Sequence, residues 1–416
     1  MNKRIITSYQ GGILTAVWED GRFCQFDWER KISDSLIGNI YVGRVQKVVA
    51  GIQAAFVDVG NGLTGYYSLT DNKKHIYLNN GSHDRLKEGD MLLVQVERDP
   101  VKTKMMVLTS RLNLTGRYGA LTCGYPGLSF SSKLKPGKFK ELREQLREEL
   151  ADFPVREYGL IVRTNAMAAT PEEVKREAFS LLERLEKIKT EAAYRLSGSL
   201  MMEAPPAWLQ GIRDSRDDEL EEIVTDNGLM FAQLSTFVRE TCPTLEGRIR
   251  YYSDDYPLHK LYSIGTALEK ALAERVWLKS GGFLVIQPTE AMTVIDVNTG
   301  KFIGKKDAEE TFLKLNLEAA KEIALQLRLR NLSGIIIVDF IDMAREENRQ
   351  ELMKTFGTML SEDRVKTTLV DMTPLGLVEI TRMKVRKPLA EQMAGVRPAG
   401  AECMAGEIVE YDEKTH

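Results

Sequence analysis

The feature that most constrains this chain is a pair of short β-forming segments, each ending in an acid, with a long helical stretch between them. Thr293-Val294-Ile295-Asp296-Val297-Asn298 reads as one strand. Ile335-Ile336-Ile337-Val338-Asp339 reads as another, buried by its four apolar β-formers and carrying its acid at the carboxyl end. A long helix is predicted over 307–330 and a second over 345–360, with further strands over 282–287, 366–371 and 376–381. Strands alternating with helices bury their apolar faces in a layered α/β domain. That domain is expected to occupy 276–395.

Upstream the texture changes. Within 1–35, the strands Ile13–Trp18 and Arg22–Phe26 flank Asp20-Gly21, a pair suited to a hairpin turn. Over 36–112, strands Asn39–Val49, Ala54–Val59, Thr64–Leu69, Met91–Val96 and Met105–Thr109 are punctuated by glycines and interrupted by a polar loop at 70–88. Five strands in so short a stretch suit a small OB-type β-barrel. Residues 113–207 are mixed, with a helix over 137–151, an extended run Tyr158–Arg163, and a helix opened by Pro171-Glu172-Glu173 that reaches Leu196. Pro205-Pro206 marks a boundary. Residues 208–275 hold helices and a strand near Arg248–Tyr252 that can rejoin the N-terminal hairpin, and 396–416 is a Gly/Ala/acid-rich tail expected to be poorly ordered.

Composition narrows the function only a little. The 416 residues carry a formal net charge of −3, so any nucleic-acid surface must be local. Cys24, Cys123, Cys242 and Cys403 are scattered, as are His75, His83, His259 and His416. No disulfide framework or Cys/His zinc site is encoded by local spacing. The start has no apolar run of signal-peptide type and no segment is long enough for a membrane span, so a cytoplasmic location is expected.

The chemistry concentrates on the two acidic strand ends. In a strand, residues two apart share a face, so Asp296 and Asn298 project together. Ligands of open α/β sheets bind beyond the carboxyl ends of the strands. If the two strands lie side by side, Asp296 and Asp339 can reach one Mg²⁺, an ion that commonly takes one or two carboxylates plus waters and phosphate. Spacing alone leaves open the blander reading, in which each acid caps a turn or pairs with Arg328, Arg330 or Arg345. Asp342, three residues beyond Asp339, is expected to aim elsewhere and to play a supporting part.

Six segments in this order resemble the ribonuclease E/G family: Ser280-Gly281-Gly282, Thr289-Glu290-Ala291, Ile295-Asp296-Val297-Asn298, Asn316-Leu317-Glu318-Ala319-Ala320, Gln326-Leu327-Arg328-Leu329-Arg330 and Val338-Asp339-Phe340-Ile341-Asp342-Met343. The resemblance implies an OB-type barrel inserted in an RNase H-like domain (1–35 with 208–275), then a 5′-sensor region (113–207) and a DNase I-like catalytic domain. It implies a Mg²⁺-dependent endoribonuclease that cuts single-stranded, A/U-rich RNA during processing and decay. Such an enzyme leaves a 5′-phosphate on the downstream product and favours 5′-monophosphorylated ends. Asp296 and Asp339 then bind the metal, with Asn298 helping to hold the site.

Further upstream, Gly38–Gly43, Ala54–Gly60 and Gly65-Tyr66 resemble the family's barrel, which implies RNA bases held by Phe56 and Tyr66. From the residues alone, Phe56 sits in an apolar run and reads as core, whereas a surface role suits Tyr66. Lys102 and Lys104 can contact phosphate or simply form a solvated edge. Leu160–Thr164 resembles the 5′-monophosphate pocket, which places Arg163 and Thr164 on the phosphate.

Two departures limit the resemblance. Where the family has a Gly-Ile-Ser-Arg-Arg-like segment, this chain reads Gly127-Leu128-Ser129-Phe130-Ser131-Ser132-Lys133, leaving Lys133 as the charged contributor and suggesting a weakened sensor. The family's Cys-Pro-x-Cys zinc link is not found after Arg386, so no zinc and no zinc-linked tetramer is expected, while a homodimer stays open. Two competing readings are a non-catalytic RNA-binding protein and a metal-dependent DNA nuclease or phosphodiesterase. The intact Asp/Asn/Asp set speaks against the first, and the barrel with Arg163-Thr164 against the second.

Overall fold

The structure is a computed structural model that describes residues 2–30, 35–78, 85–100, 104–134, 137, 139–216, 220–300 and 308–394. It opens on an antiparallel meander of β1 (Lys3–Tyr9), β2 (Gly12–Glu19) and β3 (Arg22–Glu29). The turn between β2 and β3 has positive φ at both Asp20 and Gly21, the mirror-image turn that matches strand twist.

A barrel follows: β4 (Ile40–Val49), β5 (Ala54–Asp58), β6 (Thr64–Ser68), β7 (Met91–Arg98) and β8 (Met106–Thr109). They run in the order β4-β5-β6-β8-β7, and β7 pairs back onto β4 to close the ring. Val45, Ala55, Val57, Tyr67, Leu92, Val94 and Leu108 fill the interior. Gly65 is required there, since a Cβ would lie 2.4 Å from the Leu108 side chain.

Next, β9 (Asn113–Thr115), β10 (Gly119–Cys123), β11 (Gly127–Phe130) and β12 (Tyr158–Val162) form a sheet in the order β11-β12-β10-β9. Helices α1 (Lys140–Glu149) and α2 (Pro171–Ala192) bury Leu146, Val174, Leu181 and Leu185 together with Leu121 and Leu160. Helix α2 starts on a capping box, Thr170 with Glu173, and has Pro171 in its first turn. Strand β13 (Leu200–Met202) adds to β4, and α3 (Ala207–Arg213) follows.

The chain then returns to the first sheet. Strand β14 (Glu222–Thr225) pairs in parallel with β1. After α4 (Gly228–Thr241), β15 (Ile249–Tyr251) completes the order β15-β14-β1-β2-β3. The expected strand at 248–252 thus reaches the meander only through β14, a four-residue strand the sequence reading lacked. Short helices α5 (Leu258–Leu261) and α6 (Ile264–Leu272) pack Leu258, Ile264 and Leu268 beside Ile5 and Leu14.

The last sheet contains β16 (Arg275–Trp277), β17 (Phe283–Pro288), β18 (Met292–Asn298), β19 (Gly334–Asp339), β20 (Thr367–Met372) and β21 (Leu377–Arg382), in the order β16-β17-β18-β19-β21-β20. Helices α7 (Ala308–Leu329) and α8 (Glu346–Ser361) supply the other layer, and α9 (Leu389–Gln392) follows β21. Ile295, Val297, Ile336 and Val338 pack against Leu315, Ala319, Ile323, Leu352 and Phe356. Strand alternation sends Val294, Asp296, Asn298, Ile337 and Asp339 to the opposite face.

Two compact units result: Met1–Lys31 with Glu221–Phe231 and Arg250–His416, and Ile32–Leu220 with Ala232–Ile249. Among the described residues no helix is long and apolar enough to cross a membrane. The expected tail, Cys403, His83, His416 and Lys102 lie outside the described residues.

Candidate active site

Strands β18 and β19 run parallel, joined by the α7 crossover, in a register that pairs Ile295 with Val338 and Asp296 with Asp339. Neighbouring strands lie about 4.8 Å apart, so the two acids become side-by-side carboxylates at the carboxyl ends of their strands. Both are exposed. Asn298 donates from Nδ2 to Asp296 Oδ2 at 2.7 Å, which fixes that carboxylate's orientation. Burial, then the neighbouring charges of Asp296 and Asp342, push the Asp339 carboxyl above its ordinary range. Asp342 lies in the loop after β19, outside the strand register, yet its charge reaches Asp339.

Side chains of α7 fix what surrounds the acids. The fully buried Asn316 donates from Nδ2 to the Ile341 carbonyl at 2.8 Å and accepts the Ile341 N–H on Oδ1 at 3.1 Å. The backbone just past Asp339 is thereby clamped on both polar groups. Glu318 accepts the N–H of Ser280 at 3.2 Å. At Gly282 a Cβ would lie 2.9 Å from the Asn298 carbonyl and 2.8 Å from Leu315, so only glycine lets β17 approach β18 there. Glu309 accepts the Ala344 N–H at 2.5 Å and Asn348 Nδ2 at 3.0 Å. Sequence reading placed Asn316 and Gly282 in family-like segments without giving either a role, and missed Glu309, because nothing in local spacing says which strand end a helical residue will face.

Neither arginine at the end of α7 serves the acids. Arg328 pairs with Glu19 at 2.8 Å, and Arg330 is buried with its Nε on Gln326 at 2.6 Å. The reading in which either arginine pairs with Asp296 or Asp339 is therefore set aside.

On the barrel, Phe56 and Tyr66 are register partners across β5 and β6. Their rings lie 6.5 Å apart, edge to face, half-buried on the outer surface. The core reading of Phe56 is corrected: Ala55 and Val57 point inward, and alternation turns Phe56 out. Lys47, exposed and in register with Phe56 on β4, sits beside this pair, and Lys104 is exposed ahead of β8.

Arg163 follows β12. Its Nη2 pairs with Asp214 Oδ1 at 2.8 Å and its Nη1 donates to the Gly116 carbonyl at 2.7 Å. Burial raises the Asp214 carboxyl, but Arg213 and Arg163 outweigh it and hold the group below its ordinary value. The hydroxyls of Thr164 and Ser131 lie 3.1 Å apart, and Lys133 is exposed two residues further on. Glu177 of α2 accepts three consecutive backbone N–H groups, from Arg117, Tyr118 and Gly119, at 2.7–2.8 Å, and so shapes the turn that carries Gly116.

The profile of the Ribonuclease E/G family matches residues 113–385. Ribonuclease G of Salmonella typhimurium (strain SL1344) is 34% identical over 385 residues, covering 89% of this chain and 77% of that protein. Ribonuclease G of Escherichia coli (strain K12) is 34% identical over 387 residues, with the same coverage. The chain belongs to the ribonuclease E/G family. Ribonuclease E of Haemophilus influenzae is 31% identical over 407 residues, covering 96% of this chain and 43% of that protein.

Membership makes the chain an endoribonuclease, a hydrolase of phosphodiester bonds in RNA processing and decay, and implies a divalent-metal-dependent nuclease. Its donor set fits such an ion. Among the described residues no three-ligand His/Cys/Asp/Glu cage exists, but two adjacent carboxylates, one oriented by an amide, match an oxygen-preferring dication that keeps several waters. The family segments noted in the sequence acquire jobs here: Asn316 and Glu318 tie α7 to Ile341 and Ser280, and Gly282 packs against the Asn298 carbonyl.

Proposed function

We propose that this endoribonuclease is Mg²⁺-dependent, that Asp296 and Asp339 hold the ion, and that Asn298 sets the orientation of Asp296. The in-register pairing of the two acids with the Asn298–Asp296 hydrogen bond carries this reading. When bound, Mg²⁺ supplies positive charge for a scissile phosphate and lowers the pKa of attacking water. The carboxylates bind, and Asn298 keeps one of them from rotating. The clamp from Asn316 holds the Asp339 loop still while substrate enters. Hydrolysis by water leaves the phosphate on the 5′ end of the downstream product.

Substrate choice follows from the other unit. The outward rings of Phe56 and Tyr66 offer π-faces for bases of single-stranded RNA, worth about 1–3 kcal/mol per stacked base. Lys104, exposed ahead of β8, is assigned to backbone phosphate. Arg163, Thr164 and Lys133 are assigned to a 5′-monophosphate. Arg163 spends two of its five N–H donors on Asp214 and Gly116, which leaves others for phosphate oxygens. A preference for A/U-rich, 5′-monophosphorylated strands belongs to the same reading. So does the division into RNase H-like, barrel, sensor and DNase I-like parts, for which the β1–β3 meander extended by parallel β14 is one support.

The test is cleavage of a 5′-monophosphorylated, A/U-rich oligoribonucleotide with Mg²⁺ or with EDTA. Cleavage is expected only with metal and is expected to vanish in Asp296→Ala and Asp339→Ala. Undiminished cutting by either variant removes that residue from the mechanism. Equal rates on 5′-phosphate and 5′-hydroxyl substrates, in both the native chain and Arg163→Ala, remove the sensor.

A further inference from the structure

The unit that lacks the two acids contains a cleft of about 900 Å³ between the 70–78 segment of the barrel and the turn that ends β10. Small-molecule sites fall at roughly 300–1,000 Å³, so the space accepts a nucleotide with room to spare. Lys73 and Lys74 line it, are exposed, and have no carboxylate partner among the described residues. Arg111 lines it too, and its Nη1 donates to the Tyr125 hydroxyl while its guanidinium sits 5.3 Å from the Tyr125 ring centroid. Tyr125 stays 61% exposed. Gly124 makes this possible: its φ is +97°, and a Cβ there would lie 3.1 Å from Arg111 Cγ.

Charge in the cleft is not simply summed. Lys189 is committed to Glu186 at 3.0 Å and to the Tyr158 hydroxyl at 2.6 Å. Asp71 and Glu157 also line the space, and among the described residues neither forms an ion pair with Lys73, Lys74 or Arg111. What remains is an exposed aromatic ring braced by a guanidinium, in a cleft also lined by two ammonium groups that have no carboxylate partner among the described residues. A bare phosphate would have no use for the ring, and an apolar ligand none for the lysines. A base stacked on Tyr125 with its phosphate toward Lys73 and Lys74 uses both.

We propose that this cleft binds a nucleoside phosphate, either as a free nucleotide or as one unit of an RNA strand. It is separate from the Arg163 pocket. Tyr158, which lines the cleft, opens β12, whereas Arg163 follows its far end, roughly 16 Å away at the rise of an extended strand. The RNA source rests on the endoribonuclease reading; the free-nucleotide source does not.

Photo-crosslinking with EDTA present tests it, so that no strand is cut. The probes are 4-thiouridine 5′-monophosphate and a short oligoribonucleotide carrying one 4-thiouridine. The targets are the full chain and its Lys73→Glu/Lys74→Glu and Tyr125→Ala variants, all altered at exposed positions. The peptide holding Tyr125 is expected to be labelled, and the double charge reversal to cut labelling about tenfold. For the oligonucleotide, losing one phosphate contact is expected to flatten the slope of log affinity against log salt by about 0.7. Labelling by both probes assigns the free nucleotide as a ligand, and labelling by the oligonucleotide alone assigns the strand. No label at this peptide from either probe, or labelling and salt slope unchanged in the double variant, overturns the proposal. Metal-dependent cleavage, measured in parallel, reports on the acids. A native chain that cuts nothing but is still labelled sinks the nuclease reading and leaves this one standing.

Discussion

At the scale of single residues, the acid pair costs the fold something. Asp339 sits beside Asp296 and within reach of Asp342, and its carboxyl is pushed up by burial and by those like charges. Neither acid belongs to the apolar core of its sheet, which is built from the opposite face. Removing one charge therefore relieves repulsion without opening a cavity. Asp339→Asn, assayed without metal, is expected to keep Tm or raise it by about 1–2 °C, a small shift because the pair is exposed and screened. Cleavage with Mg²⁺ is expected to fall to background in the same protein. Thermal unfolding and a cleavage assay on one preparation decide it, and a variant that loses stability and activity together would mean that the carboxylate is structural. Phe56 shows the limit of sequence reading at this scale. Its apolar neighbours made it look like core, and only the register of β5 against β6 turned its ring outward beside Tyr66.

At the scale of elements, what the sequence made legible depended on length and amphipathicity. The long helices α2 and α7 and the strands β18 and β19 were readable, because period and β-branching agree over many residues. Strands β14 and β16, four and three residues long, carry too little pattern to register, and their partners lie far off in the chain or on one flank only. The same limit hid the role of Asn316. In a helix it is one polar residue among apolar ones, and its value lies in the Ile341 backbone it meets 25 residues later. Removing the amide strands the N–H and C=O of the half-buried Ile341, so Asn316→Ala is expected to cost about 2 kcal/mol. Because the clamped loop follows directly on Asp339, cleavage is expected to drop by about 10–100-fold, the range for residues that orient metal ligands. Denaturant melts and kcat on the purified variant test both numbers. Native kcat at reduced stability would confine Asn316 to holding the fold.

At the scale of the whole molecule, one unit carries the acids at the carboxyl ends of β18 and β19, and the other the barrel, the Arg163 region and the cleft proposed for a nucleotide. Each has its own apolar core, and neither core draws on the carboxylates. The fold is then expected to stand without metal, and metal binding to act locally. An ion that binds only the folded acid pair stabilises that state by RT ln(1 + [L]/Kd), about 1.4 kcal/mol at ten times Kd. Hydrogen exchange reads where that stabilisation falls. Adding Mg²⁺ to EDTA-treated protein is expected to slow exchange in peptides spanning 292–298 and 334–345, and to leave the peptides of β4–β8 unchanged. Asp296→Asn is expected to erase the difference. Protection spread equally over both units would mean that the ion supports the fold at large, and no protection at β18 and β19 would move it elsewhere. The local pattern is the one the register demands, because Asp296 and Asp339 meet only through the pairing of those two strands, and a ligand that bridges them tightens that pairing first.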